Sequence, residues 1–191
     1  MPVSHPSTRD ALLAAASDLL QRVGYASFSY RDLAEVVGIR SASIHYHFPT
    51  KADLGLALLD SYRSETLEHE RELTTSHPNV RQRLLALTAQ IAEQTCPSGK
   101  ACPIHMLQAE FGALPPALQR AVKDLVDEKL AILARWLDEG RRAGDLRFPG
   151  NPTAQARLVW SVIEYGTQLA RSHPDHQLKA LVRQLVDTMT P

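Results

Sequence analysis

The sequence predicts an all-α protein of about nine helices, with a small N-terminal three-helix unit over residues 1–54 and a larger helical unit over residues 55–191. Three observations predict it. Leu, Ile, Val and Ala recur at the i, i+3, i+4 spacing of one helix face along most of the chain. The strict alternation of a half-buried strand is nearly absent. The pairs Ser7/Asp10, Ser29/Asp32 and Thr50/Asp53 each have the spacing of a capping box, in which two side chains satisfy amides at a helix start.

Taken in order, Ser7 opens a helix carrying Leu12, Leu13, Ala16, Leu19 and Leu20, which Gly24 ends. Ser29 opens a short helix with Leu33, Val36 and Val37, stopped by Gly38. A third covers Ser41–His47 and Pro49 breaks it. Thr50 starts a longer helix running towards Leu73. After His77-Pro78-Asn79 comes a helix through Leu84 and Ile91, and Cys96-Pro97-Ser98-Gly99 interrupts the pattern. Cys102-Pro103 opens a short helix through Phe111. Pro115-Pro116 begins a long one that reaches about Arg142, with Gly144 behind it. Asn151-Pro152 opens the next, and the last helix, after His173-Pro174, carries Leu178, Val182, Leu185 and Met189.

Composition narrows the function classes. The 191 residues hold 21 Lys plus Arg and 21 Asp plus Glu, a formal net charge of zero. A strongly basic coat for nucleic acid is thereby excluded, whereas a local basic footprint is not. The polar start, with two prolines and no apolar core, is not a signal peptide. No apolar run is long enough to span a bilayer. Two cysteines are too few for a disulfide scaffold. A cytoplasmic protein with no membrane partner is expected.

Residues 29–47 have the layout of a helix-turn-helix: a capped helix, a turn at Gly38, and a second short helix of a size that the DNA major groove admits. Ala34 is small where the helices would cross, and Ile39 and Ile44 would anchor the second one. The run Gly24-Tyr25-Ala26-Ser27-Phe28-Ser29-Tyr30-Arg31-Asp32-Leu33-Ala34, then Val37-Gly38-Ile39, Ile44-His45-Tyr46-His47-Phe48 and Lys51-x-x-Leu54 resembles the N-terminal signature of TetR/AcrR-family transcriptional regulators. The resemblance implies a repressor that binds double-stranded DNA at a palindromic operator. It implies a homodimer through the last two helices and a C-terminal domain that binds a small-molecule effector. It places Ser29, Tyr30, Arg31 and Lys51 at phosphates, and Arg40, Ser41, Ser43, His45 and Tyr46 on or before the recognition helix. Arg40 and Ser43 are the first choices for base edges, and His45 for a phosphate or groove contact. Arg40 stands where the family commonly has a capping serine, so Ser41 is expected to cap instead.

In the C-terminal part, Tyr62, Gln90, Met106, Gln108, Phe111, Trp136, Trp160, Tyr165 and Gln168 are the polar and aromatic residues suited to an effector pocket. Leu158, Val162, Leu169, Leu181, Leu185 and Met189 are candidates for the dimer seam, although some of them must fill the monomer core and the sequence does not divide the set. No paired carboxylates stand at a spacing that suggests an enzyme, and no cofactor is implied. Cys102 would sit at the start of the short helix, where amide dipoles favour a thiolate, with Lys100 and His105 adding positive potential. A redox or electrophile sensor is one reading; a small buried hydrophobe is the other. The resemblance extends to a subgroup with a cysteine directly before helix 6. Cys96, Cys102 and His105 give three soft ligands, but a closed zinc site needs a fourth, for which only His69 or His77 is at hand. No metal site is therefore predicted. The rivals to a DNA-binding regulator are a cysteine-dependent redox enzyme and a helical interaction protein without DNA binding.

Overall fold

A computed structural model describes residues 7–95, 100–173 and 178–191, together with the backbone but not the side chain of Thr95. Among these residues the chain forms helices α1 (Thr8–Val23), α2 (Tyr30–Val37), α3 (Ser41–His47), α4 (Lys51–Ser76), α5 (Val80–Thr95), α6 (Pro103–Ala109), α7 (Pro116–Ala143), α8 (Pro152–Ser172) and α9 (Leu178–Thr188), with a 3-10 turn at Phe111–Ala113.

The starts follow from side-chain chemistry. Ser7 and Ser29 each accept the amide three residues on, and Asp10 and Asp32 each accept the cap's own amide. Thr50 and Asp53 make the same reciprocal pair ahead of α4. Asn151 accepts from Ala154 N–H at 2.8 Å, with Pro152 as the first helical residue of α8. Gly38 ends α2 at φ 75°, in the left-handed region that a side chain disfavours. The short helix after Cys102 ends at Ala109 and not at Phe111, because the chain tightens there into the 3-10 turn.

The structure divides into two compact units, residues 1–63 with 103–122, and residues 64–102 with 123–191. The first unit takes in α6 and the start of α7. Its buried side chains include Leu12, Leu20, Phe28, Leu33, Ile44, Phe48 and Leu54, with Ile104, Leu107 and Leu118 from the later segment. In the second unit α5, α8 and α9 pack on one another. Trp136, Leu137, Leu84, Val159, Ile163, Val182 and Val186 form its core. Met189 belongs to that core too: it is buried, and Gln155 donates to its sulfur at 2.9 Å. As a seam residue it is a correction, since period alone cannot tell which face of a helix meets its own core.

Candidate DNA-reading surface and effector unit

Helix α3 follows directly from the turn at Gly38. Ile44 is its one fully buried side chain and pins it to the unit, while Ala42, Ser43, His45 and Tyr46 are exposed, Tyr46 to 84 %. An apolar anchor of one residue thus leaves nearly the whole outer face for a partner. Arg40, also exposed, is the residue before the helix; it makes no side-chain cap, and Ser43 N–H donates to its carbonyl at 2.9 Å. Ser41 is already helical, so the expectation that it caps α3 is not met. The cap residue's side chain thus satisfies none of the first amides of α3.

Tyr30, expected at a phosphate, turns its hydroxyl to the chain. The single phenolic hydrogen is shared between the carbonyls of Phe48 at 2.9 Å and Thr50 at 2.6 Å, which ties the start of α2 to the α3–α4 loop. A phosphate oxygen only accepts, so in this arrangement Tyr30 positions the loop. Burial, then the nearby Asp53 charge, raises its pKa to about 12, so the hydroxyl keeps its hydrogen. The Tyr30 ring stands edge-on to His45, with centroids 4.8 Å apart. His45 Nδ1 donates to the Pro49 carbonyl at 3.2 Å. That fixes the neutral tautomer: Nε2 is then an acceptor, fit for an amino group on a base edge, and only an imidazolium could donate to phosphate.

Lys51 is likewise turned inward. Its ammonium donates to the Phe28 carbonyl and lies over the rings of Tyr25 and Phe28, 4.7 and 4.6 Å from their centroids. Burial lowers its pKa. Arg9 lies over the Phe48 ring at 5.4 Å. Ser29 is occupied by its capping box, and Arg31 is exposed, 4.0 Å from Glu35. The exposed polar groups of this surface are thus those of Arg31, Arg40, Ser43, His45 and Tyr46.

The effector candidates divide between the units. Tyr62, Met106, Gln108 and Phe111 belong to the first, Gln90, Trp136, Trp160, Tyr165 and Gln168 to the second. Trp136 is fully buried, and among the described residues neither its indole N–H nor the buried Gln90 Oε1 has a hydrogen-bond partner. Trp160 is half-buried against the same core. Tyr165 stands apart from them at 67 % exposure, on the face of α8 that also exposes Leu158. Sequence reasoning missed the charged interior of this unit. Lys129, 4 % exposed, donates to Glu70 at 2.9 Å and to Thr66 at 2.6 Å. Arg83, also buried, donates to Glu139 at 2.9 Å and to the His77 carbonyl at 3.1 Å. A lone Lys or Arg on a helical stripe reads as a solvated edge; only the fold shows that it is enclosed.

Cys102 directly precedes α6 and is 9 % exposed. His105, expected to add positive potential, is buried, and desolvation lowers its pKa to about 4. It is neutral at pH 7 and contributes no positive charge to the thiol. Cys96, one of the three soft ligands weighed for a zinc site, lies outside the described residues. Among the described residues no group of three or more His, Cys, Asp or Glu could hold a metal, and no helix is long and apolar enough to cross a membrane.

A capped three-helix head with an exposed short helix, together with a second helical unit, has the layout of a helix-turn-helix transcriptional regulator. Residues 12–58 match the bacterial regulatory protein tetR family, and residues 81–186 match the tetracyclin repressor-like C-terminal domain. The chain belongs to the TetR family. It is 27 % identical over 158 residues to the HTH-type transcriptional repressor NemR of Escherichia coli, covering 81 % of this chain and 79 % of that one. A TetR-family regulator from Agrobacterium tumefaciens superposes with a TM-score of 0.92 at 30 % identity, covering 96 % of this chain and 97 % of that one. One from Legionella pneumophila gives 0.86 at 26 % identity, over 99 % of this chain and all (100 %) of that one. The likeness supports a DNA-binding dimer with C-terminal helix contacts. Membership of that family makes the protein a regulator.

Proposed function

We propose that this chain is an effector-controlled repressor that binds a palindromic operator as a homodimer. The observation that carries the reading is the outer face of α3, where Ser43, His45 and Tyr46 are exposed around the one buried anchor, Ile44. A helix held by one apolar contact and otherwise open can lie in a major groove, with Arg40 at its start able to donate two hydrogen bonds to guanine. Arg31 at the start of α2 serves a phosphate. Tyr30 and Lys51 act from behind, by holding the α3–α4 loop and the Tyr25–Phe28 pair in place.

One α3 reads only a few base pairs, so two copies are needed. On α8, Leu158, Val162, Tyr165 and Leu169 follow at steps of four, three and four residues, which places them on one stripe. Leu158 and Tyr165 are exposed large hydrophobics, and Leu181 and Leu185 of α9 are half-buried. This stripe is the dimer seam of the proposal, and Tyr165 belongs to it rather than to the effector pocket. The effector is a small molecule taken up in the C-terminal unit. The unpaired indole N–H of Trp136 favours a ligand with a hydrogen-bond acceptor on a largely apolar body. Such a ligand releases DNA by binding the DNA-incompetent conformation better than the competent one.

The test is a footprint on DNA upstream of the protein's own gene and its neighbours. Wild-type protein is expected to protect a two-fold symmetric site. Arg40→Ala and Tyr46→Ala, folded by circular dichroism, are expected to lose it. A folded wild-type protein that protects no site there, and selects none from a random duplex library, overturns the reading.

A further inference from the structure

Glu110, between α6 and the 3-10 turn, reaches back across 84 residues of sequence to accept the backbone N–H of Ala26 at 2.8 Å. Ala26 lies in the link Gly24–Phe28, in which Gly24 ends α1 and after which Ser29 caps α2. Gly24 has φ 95°, and a Cβ built on it would strike Glu110 Oε1. The carboxylate therefore occupies the very space that the missing side chain leaves open. The Met106 methyl, one turn earlier on α6, lies 3.5 Å from that same Cβ position.

The two ends of this link hold different things. Tyr25 and Phe28 are buried on either side of Ala26, and their rings flank the Lys51 ammonium at the start of α4. Ser29 follows at once and sets where α2 begins, and α2 packs on α3. The link is the covalent path between α1 and α2, and among the described residues its one main-chain amide bonded from outside residues 1–63 donates to Glu110.

We propose that Glu110 is a positioning residue for DNA binding: its carboxylate latches the Gly24–Phe28 link from α6 and so sets the angle at which α2 and α3 are presented. The proposal rests on the DNA-binding reading above. Glu110 touches no DNA; it acts through the Ala26 amide. An amide has one hydrogen and needs one acceptor, so an amide side chain at position 110 can replace the carboxylate, whereas a methyl cannot. The charge is not required by the latch, but the neighbouring Lys51 is favoured by it.

Two variants of the full chain test it, Glu110→Ala and Glu110→Gln, by two measurements. Hydrogen exchange followed by mass spectrometry or NMR should show the Ala26 amide exchanging at least tenfold faster in Glu110→Ala, and near the wild-type rate in Glu110→Gln. With a duplex selected by the wild-type protein from a random library, Glu110→Ala should bind at least tenfold more weakly and Glu110→Gln within threefold. Unchanged exchange at Ala26 in Glu110→Ala overturns the latch whatever happens with DNA. Faster exchange with unchanged DNA affinity overturns its role in presenting α3. Equal loss in Ala and Gln overturns the acceptor chemistry. If the wild type selects no duplex, the regulator reading fails and with it the positioning role; the exchange arm still decides the latch itself.

Discussion

Lys129 and Glu70 form an ion pair of 2.9 Å inside the C-terminal unit, with Thr66 as the second acceptor for the same ammonium. Burial is the larger influence on Glu70 and raises its pKa; the Lys129 charge opposes that rise. Removing Lys129 alone leaves an enclosed carboxylate without its cation. Lys129→Met is therefore expected to cost about 3–5 kcal/mol. Lys129→Met with Glu70→Leu should recover most of that loss. Urea denaturation of the three proteins checks it, and a double variant as unstable as the single one would contradict it.

Two buried groups give opposite pH dependences. His105 has a folded pKa near 4, below its ordinary 6.5. Between those values the unfolded chain binds the extra proton, so stability falls as pH drops from 6.5 towards 4. Glu70 is raised in the fold, so it binds a proton more tightly when folded, and its contribution falls as pH rises from its unfolded value of 4.5 through the raised one. His105→Leu should therefore be less sensitive than wild type to acid below pH 6.5, by about 3 kcal/mol at most. Glu70→Gln should lose less stability than wild type as pH rises above 4.5. Denaturation at pH 4.5, 5.5 and 7 separates the two by sign.

Tyr30→Phe removes one hydroxyl and nothing else. The carbonyls of Phe48 and Thr50 lose their shared donor. A stability loss of about 1 kcal/mol is expected, together with weaker binding to a selected duplex, because the loop behind α3 is released. With its pKa near 12, Tyr30 adds no pH dependence to DNA binding between pH 6 and 9. Calorimetry and titration at those pH values give the check.

The Cys102 thiol is enclosed, and its buried histidine neighbour carries no charge at pH 7. In a Cys96→Ser background, a thiol reagent is expected to label Cys102 at least a hundredfold more slowly in the native protein than in urea. Fast native labelling, with oxidant-driven DNA release that Cys102→Ser abolishes, would make it a sensor after all.

Leu158→Glu and Tyr165→Glu place charges on the exposed α8 stripe. Both should shift sedimentation from dimer to monomer while far-UV circular dichroism stays unchanged. Dimers that persist in both variants would move the seam elsewhere.

What could be read along the chain was whatever depends on near neighbours. Capping pairs sit three residues apart, the Gly38 turn is one residue's backbone, and a helix face repeats within two turns. All three capping boxes and the order of the helices were therefore legible. So was the exposed face of α3, because its motif is a compact run. The Glu110–Ala26 bond, the Lys129–Glu70 pair and the inward turn of Lys51 and Tyr30 were not. Each depends on where distant turns of chain come to rest, and a charged or phenolic side chain carries no mark of the partner it will meet. Burial placed Met189 in the core and left Tyr165 exposed for the same reason: a stripe of apolar residues has a period but no address, and only packing shows which of its members the core encloses.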